Sequence, residues 1–226
     1  MPIPQKSEET TVRLSAKEIT YETLKKWIVE GTLYPGEKLS DSDMADYFSV
    51  SRTPIREAFQ LLEEQKLIKS FPGKATIVTE VETKNIEQWY HPLMALQKLA
   101  AELATEKSTS EHIKTLKDIN LNFLQAVESK DIYQISYGDK EFHDYIMEIT
   151  ENSYILDFCD ILMNHIQRLE FIFFKENTNI IESVTEHEKI INAMERKDAF
   201  NASLLIQQHW NRTVMQLKNI MKDKNK

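Results

Sequence analysis

Glycine and proline are almost confined to the first part of this 226-residue chain, and this distribution limits what the remainder can fold into. Of the four glycines, only Gly138 lies beyond Gly73, and no proline follows Pro92. From about residue 82 to about residue 220, apolar residues recur every three or four positions, which is the spacing of one face of an α-helix. The sequence therefore predicts that this whole region is helical.

Residues that commonly begin helices divide this region into about six segments. The expected starts are Thr83, Ser108 or Ser110, Asp131, Asn152 or Ser153, Asn177 or Asn179, and Asp198. Pro92 falls inside the first of these helices, where proline removes a hydrogen-bond donor and is expected to kink the helix. The expected C-terminal domain, residues 82–226, is thus an all-helical bundle of about six helices.

The first 81 residues are punctuated differently. Helices are expected over residues 16–30, 41–48 and 52–65, and the tight turn SVS separates the second from the third. The β-branched and aromatic runs LIKSF and ATIVTEV follow, and the Pro72-Gly73-Lys74 sequence between them predicts a β-hairpin. Helix, helix, turn, helix and hairpin is the order of a winged helix-turn-helix domain. The chain is therefore expected to be mainly α, with this domain at residues 1–81.

Charge is distributed unevenly along the chain, whose formal net charge is -8. Residues 1–79 hold 11 Lys and Arg against 12 Asp and Glu, whereas the other 147 residues hold 17 against 24. The surplus of negative charge therefore lies mostly in the C-terminal part. Because phosphates respond to the local field, a DNA-binding surface is expected as a local patch near the N-terminal end.

The helix that starts at residue 52 carries two arginines one turn apart. Ser51 is a good N-cap residue, and Pro54 falls in the first turn, where its missing N–H is harmless. Its buried face should hold Ile55, Ala58, Phe59 and Leu62, and its outer face Arg52, Thr53, Arg56 and Gln60. A helix N-terminus favours phosphate, and arginine binds phosphate or makes paired hydrogen bonds to guanine. The alternative is a solvated surface helix whose arginines repel each other slightly.

The run PGEKLSDSDMADYFSVSRTPIREAFQLLEEQKLI resembles the N-terminal domain of GntR-family bacterial transcription regulators. The family pattern is PG-x-x-L-x-E-x-x-LA-x-x-x-x-VSRTPVREAL-x-x-LE-x-x-GL, and the likeness covers about residues 14 to 81. The resemblance implies DNA contacts from the recognition helix and from the tip of the wing, made by Ser51, Arg52, Thr53, Arg56, Gly73 and Lys74. Asp41 stands where glutamate is commoner in the family, and Ser42 stands where some members carry arginine.

The helical region holds a second constellation of polar residues. Asp139 and His143 are four positions apart, so on a helix they share a face, and His187 and His209 can reach the same point from two later helices. Three imidazoles and a carboxylate suit Zn²⁺, Ni²⁺ or a similar divalent ion. Spacing alone is weak evidence for a metal site, because a lone histidine on an amphipathic helix is more often a surface residue or a satisfied core residue.

The segments D-x-x-FH, EH-x-x-II-x-A, D-A-x-x-A and a final H look like the helical effector domain of the FadR subfamily of GntR regulators. By that resemblance Asp139, His143, His187 and His209 hold a divalent ion, Zn or Ni, and a small carboxylate effector completes its coordination. The first helix of that domain commonly reads R-x-x-LE, but this chain has Leu93 and Gln97 there. Arg168 is one substitute for the missing arginine as the effector contact.

Three classes of function remain open. The first is a regulator that binds a double-stranded, palindromic DNA operator as a homodimer and senses a metabolite. The second is a metalloenzyme in which Glu141 or Glu186 acts as general base. The third is a regulator whose helices only dimerise and whose metal is structural. Since an enzyme has no need of a recognition helix and wing, the first class is favoured.

Other features of the sequence support a cytoplasmic protein with no membrane partner. No run of apolar residues approaches the length of a membrane span, and the N-terminal MPIPQKSEETTVR lacks the apolar segment of a signal peptide. Cys159 lies among apolar residues and is expected to be a buried structural thiol. His91 and His165 match no position of the resemblance and are expected to be structural.

Overall fold

The computed structural model describes residues 14–173 and 180–224 of the chain. These residues form two compact units, each of which is described by itself. One unit comprises the residues up to Trp27 together with Gly36–Thr79, and the other comprises Ile28–Pro35 and the residues from Glu80 onward.

The first unit has the element order predicted for a winged helix-turn-helix. Its elements are α1 (Ala16–Glu30), whose last three residues are assigned to the other unit, β1 (Lys38–Leu39), α2 (Asp41–Phe48), α3 (Arg52–Glu64), β2 (Ile68–Phe71) and β3 (Ala75–Val78). The expected hairpin is β2 and β3, which pair antiparallel. Strand β1 is additional, because the sequence indicated only a turn there; Lys38 pairs with Ile77 and Leu39 with Thr76. A strand of two residues is too short to show a periodic pattern in the sequence. Strand β1 is recognised only by its pairing with β3, which lies far along the chain.

Three serines flank α2 and the start of α3. The Ser40 hydroxyl accepts a hydrogen bond from the Asp43 amide at 3.3 Å and so caps α2. Ser49 ends α2 in the left-handed conformation, with a φ of 54°. Ser51 occupies the N-cap position of α3 as expected, but its hydroxyl makes no capping hydrogen bond. The predicted inner face of α3 is confirmed, since the buried side chains are Ile55, Ala58, Phe59 and Leu62.

The second unit contains the six expected helices within the described residues. They are α4 (Glu87–Lys107), α5 (Ser110–Ser129), α6 (Ile132–Ile149), α7 (Ser153–Phe173), α8 (Ile181–Glu195) and α9 (Ala199–Lys224). None of the helices described here is both long and apolar enough to cross a membrane.

The observed helix starts agree with most of the predicted ones. Thr109 and Asp131 cap α5 and α6 through their side chains, and α7 begins at Ser153. Helix α4 differs, because it begins at Glu87 rather than near Thr83 and has no side-chain cap. Pro92 lies inside α4, which continues through it. The start predicted at Asn177 or Asn179 lies outside the described residues.

The core of the bundle packs α4 against α9 and the other helices around them. Trp210 is fully buried, and its indole N–H donates to the Gln97 side-chain carbonyl at 2.7 Å. Gln97 thus has a structural partner at the position where the resemblance leads one to expect an acid. Gly138 permits a close approach of α5 and α6, because a Cβ there would lie 3.1 Å from Cδ2 of Phe123.

Candidate functional site

The four predicted metal ligands converge at one point inside the helical unit. Asp139 and His143 come from α6, His187 from α8 and His209 from α9, and one potential ligand atom from each lies within 4.8 Å of all the others. The three imidazoles are almost fully buried, with exposed fractions of 2%, 0% and 1% respectively. Burial of this kind argues against a surface cluster of unrelated polar residues.

The ligand atoms face one another rather than separate partners. The Nε2 atoms of His143 and His209 are 3.2 Å apart. The Asp139 carboxylate lies 3.5 Å from Nε2 of His187 and 3.9 Å from Nε2 of His143. Lone pairs and a carboxylate brought together in a dry interior need a cation or protons between them.

The orientation of His187 is set by Asn120 on α5. The Asn120 amide nitrogen donates to the Val184 carbonyl at 3.1 Å, so its side-chain oxygen points at Nδ1 of His187, also at 3.1 Å. Nδ1 must then carry the proton, and Nε2 presents a bare lone pair to the cluster. That Nε2 is buried and has no hydrogen-bond partner among the described residues. An orphaned acceptor aimed at the other three ligands fits a metal ion.

His209 is oriented in the same way by Glu186 and Arg212. Nδ1 of His209 donates to Glu186 at 2.8 Å, and Arg212 makes two hydrogen bonds of 2.7 Å to the same carboxylate. Although burial disfavours ionisation, these hydrogen bonds hold the pKa of Glu186 at about 2. The carboxylate therefore keeps the proton on Nδ1 and leaves Nε2 of His209 facing the cluster.

The protonation of the cluster also suits a metal. Burial, reinforced by the neighbouring His209, lowers the pKa of both His143 and His187 well below the usual value, so these imidazoles are neutral. Burial raises the pKa of Asp139, against the attraction of His209 and Arg212, so a cation bound beside it would favour the ionised carboxylate that burial disfavours. Neutral imidazole and carboxylate are the donor set that Zn²⁺ and Ni²⁺ accept.

A cavity of about 50 Å³ opens beside the cluster. Its lining includes the ionisable residues Asp139, His209 and Arg212. The uncharged polar residues Ser183, Thr213 and Gln216 also line it, as do apolar residues that include Ile132, Ile135 and Phe171. A volume of this size holds a few waters or the head of one small organic molecule. The cavity thus joins the cluster to a space for a ligand.

Arg168, predicted as the effector contact, does not line this cavity in the described structure. It lies on α7 with 3% of its area exposed, and burial lowers the pKa of its guanidinium to about 10. The arginine of the cavity wall is Arg212, which the sequence reading overlooked together with Asn120. One signal was available for Arg212, since it follows His209 by three positions on the same helix.

The glutamates considered as catalytic bases are not placed for that role. Glu141 is exposed on α6. Glu186 is held by His209 and Arg212, so its oxygens are already hydrogen-bonded. His91 and His165 are not part of the cluster: His91 is exposed, and His165 stacks on Trp89 with ring centroids 5.2 Å apart.

The predicted DNA contacts lie together on the first unit. Ser51, Arg52, Thr53, Arg56, Gly73 and Lys74 are all exposed. Four of them, on α3 and at the tip of the β2–β3 hairpin, line one open groove: Arg52, Arg56, Gly73 and Lys74. Gly73 has a φ of 71°, which the tight turn at the wing tip requires and glycine adopts without strain. Helix α3 has no acidic residue in its first turn.

A winged helix-turn-helix joined to a helical domain with a metal-type cluster defines a DNA-binding transcription regulator. The sequence matches the profile of bacterial regulatory proteins of the gntR family over residues 16–78 and that of the FCD domain over residues 89–212. The chain belongs to the GntR family and carries an FCD domain.

Its relatives agree with this assignment. The chain is 25% identical over 207 residues to the HTH-type transcriptional regulator YdhC of Bacillus subtilis, covering 90% of this chain and 91% of that protein. It is 26% identical over 171 residues to the gluconate operon transcriptional repressor of Bacillus licheniformis, covering 75% and 68%. Escherichia coli McbR/YncC has the same fold, with a TM-score of 0.82, 20% identity, and coverage of 92% and 99%.

Proposed function

We propose that this protein is a sequence-specific repressor whose FCD domain binds a divalent metal and a small carboxylate effector that modulates operator binding. The observation that carries the sensing function is the convergence of Asp139, His143, His187 and His209 beside a cavity. The exposed groove between α3 and the wing, which Arg52, Arg56 and Lys74 line, supports the DNA-binding function.

Arg56 is the proposed base reader of the recognition helix. It is exposed and lies one turn into α3, where a side chain reaches a base edge once the helix N-terminus approaches the major groove. Arg56→Ala should weaken binding to the specific site by about 1 to 3 kcal/mol. A titration of labelled operator in which this variant binds as tightly as the wild type would refute the assignment.

The operator is proposed to be a palindrome read by a homodimer. One recognition helix and one wing make too few base contacts for useful specificity, and a two-fold dimer doubles them. Helix α7 presents Tyr154, Phe158 and Ile161 at helical spacing with 73%, 56% and 37% of their areas exposed. Leu99 on α4, which packs against α7, is exposed as well. A second copy of the chain that covers this apolar stripe would remove it from water.

The metal is proposed to be Zn²⁺ or Ni²⁺, held by Asp139 and by Nε2 of the three histidines. When bound, such an ion supplies open coordination positions that attract a carboxylate. Asn120 and Glu186 fix the two imidazoles whose Nδ1 atoms they bind, so the ligand atoms are presented without rearrangement.

The effector is proposed to be a small organic acid bound in the adjoining cavity. Ser183, Thr213 and Gln216 offer hydrogen bonds to its polar part, and the isoleucines and Phe171 contact its carbon skeleton. The cavity wall includes the guanidinium of Arg212, whereas Arg168 does not line the cavity in the described structure. The likeness to a gluconate operon repressor agrees with an acidic metabolite.

Thermal-shift screening of metal-loaded protein tests the sensing function. Small monocarboxylates, dicarboxylates and sugar acids are added in turn, and each compound that raises the melting temperature is carried into an operator titration. We expect at least one acid to stabilise the protein and to change operator affinity. Stabilisation without any change in operator affinity would refute the sensing function. If no acid stabilises the metal-loaded protein, the result would instead support a structural metal in a bundle that only dimerises.

A further inference from the structure

The groove that faces DNA contains an acidic residue in contact with both arginines of the recognition helix. Asp41 is the first residue of α2, and its Oδ1 accepts a hydrogen bond from Nη2 of Arg52 at 2.5 Å. Its Oδ2 accepts one from Nε of Arg56 at 2.7 Å. A single carboxylate therefore joins two arginines that lie one turn apart on α3.

An acid at this place has an electrostatic cost. Asp41 lines the same groove as Arg52, Arg56 and Lys74, and a negative charge there repels the phosphates of a nucleic acid. The hydrogen bonds from Arg52 and then Arg56 lower the pKa of Asp41, so the charge is present at neutral pH. The contact adds little to folding, because ion pairs between exposed side chains are weak. The benefit of Asp41 at this position must therefore be something other than the stability of the fold.

The geometry leaves the arginines able to read bases. Arg56 uses only Nε for Asp41, so within the described part of the chain both of its terminal nitrogens remain available for the O6 and N7 atoms of guanine. Arg52 uses one terminal nitrogen and keeps its other donors. Two guanidinium groups one turn apart repel each other, and the carboxylate between them offsets that repulsion. It also restricts two long side chains that otherwise sample many rotamers.

We infer that Asp41 is a positioning residue for specificity: it holds Arg52 and Arg56 in the conformation that reads the operator, and so favours the correct sequence at the expense of overall DNA affinity. This inference rests on the proposed role of α3 in DNA binding. Arg52 and Arg56 contact the base edges in the major groove of the operator, and Asp41 acts on this contact only through them.

Asp43 provides a matched control on the same helix. It lies in the first turn of α2, lines the same groove, and is exposed, but it contacts the Ser42 hydroxyl at 3.5 Å rather than an arginine. Asp41→Asn and Asp43→Asn therefore remove the same charge from nearly the same place. Only the first variant releases the two arginines.

The experiment uses the full chain and an operator selected by the wild-type protein from a pool of random DNA. Affinities for this operator and for a scrambled duplex are measured for wild type, Asp41→Asn and Asp43→Asn, with circular dichroism melts to confirm folding. Both variants should bind scrambled DNA more tightly than the wild type. The ratio of operator to scrambled affinity should fall about tenfold for Asp41→Asn and stay within about twofold for Asp43→Asn.

Two outcomes overturn the inference. One is an affinity ratio that changes equally in the two variants, because the acid would then act only through its charge. The other is that Asp41→Asn lowers the ratio of operator to scrambled affinity by the same factor in a protein that already carries Arg52→Ala and Arg56→Ala. In that case the effect of Asp41 would not depend on the two arginines. If Arg56→Ala itself leaves operator binding intact, the proposed reading surface fails, and that failure is distinct from the failure of the Asp41 inference.

Discussion

Replacing His187 with leucine should separate the metal contribution to stability from the packing contribution. His187 is fully buried, stacks on Phe142 with ring centroids 3.8 Å apart, and receives its orientation from Asn120. Leucine keeps an apolar side chain against Phe142 but offers no ligand atom. The effect on the protein therefore depends on whether metal is present.

The expected magnitudes differ between the two states. In chelator, the substitution removes one buried acceptor without a partner, Nε2 of His187, and leaves another, the Asn120 oxygen. Each such group costs about 1 to 3 kcal/mol, so the two changes nearly cancel and the free energy of unfolding should shift by about 1 kcal/mol or less. With metal at about a thousand times its dissociation constant, the wild type gains about 4 kcal/mol of stability. For a chain of this size that gain corresponds to roughly 8 to 16 °C in melting temperature.

The assay is a pair of thermal melts, one in chelator and one with added Zn²⁺ or Ni²⁺, for wild type, His187→Leu and the exposed control His91→Leu. The metal-dependent rise should be present in the wild type and in the control and absent from His187→Leu. Elemental analysis of protein purified without a histidine tag should agree. A wild type that neither carries nor responds to metal would mean that the four residues are polar core. An undiminished rise in His187→Leu would mean that the ligand set is wrong.

Four further predictions concern other parts of the molecule. Lys74→Ala at the wing tip should reduce the slope of log affinity against log salt by about one unit if Lys74 contacts a phosphate, and an unchanged slope in salt titrations would exclude that contact. Phe158→Asp should convert a dimer to a monomer in analytical ultracentrifugation, because it charges the exposed stripe of α7; a variant that stays dimeric places the interface elsewhere. Gly138→Ala should lower the free energy of unfolding, measured in urea, by about 1 kcal/mol. Crowding of the new methyl group against Phe123 costs about 1 to 3 kcal/mol, and the higher helix propensity of alanine offsets about 1 kcal/mol of that cost. A stabilised variant would show that Phe123 moves freely. Burial raises the pKa of Cys159 to about 12. Because an unfolded thiol ionises near pH 8.5, the free energy of unfolding should fall by about 1.4 kcal/mol per pH unit between about pH 9 and 11. Cys159→Ala should remove this part of the pH dependence when unfolding is measured in urea.

The helical architecture was readable from the sequence because helices depend on contacts three and four residues apart. The apolar spacing and the scarcity of glycine after Gly73 predicted the six helices of the FCD domain, and Thr109 and Asp131 cap two of them. The buried face of α3 followed from the same rule. Where a helix begins without a side-chain cap, as α4 does at Glu87, the predicted start was displaced.

The candidate metal site was only partly contained in the local pattern. Asp139 and His143 share a face of α6 by their spacing alone. His187 and His209 lie on two other helices, so their convergence depends on how α6, α8 and α9 pack; the resemblance to a known family anticipated it, and spacing could not. The structure adds the groups that orient the ligands, which no periodicity marks.

The sequence by itself determined the helices, the order of the winged domain and the identity of the candidate ligands, because these follow from short-range hydrogen bonding, side-chain spacing and a family pattern. Only the tertiary structure decided that Asp41 joins Arg52 and Arg56, that Asn120 and Glu186 orient the histidines, and that Arg212 rather than Arg168 lines the cavity. These contacts connect side chains on separate elements, and their geometry is set by the packing of the core and not by any residue's neighbours in the chain.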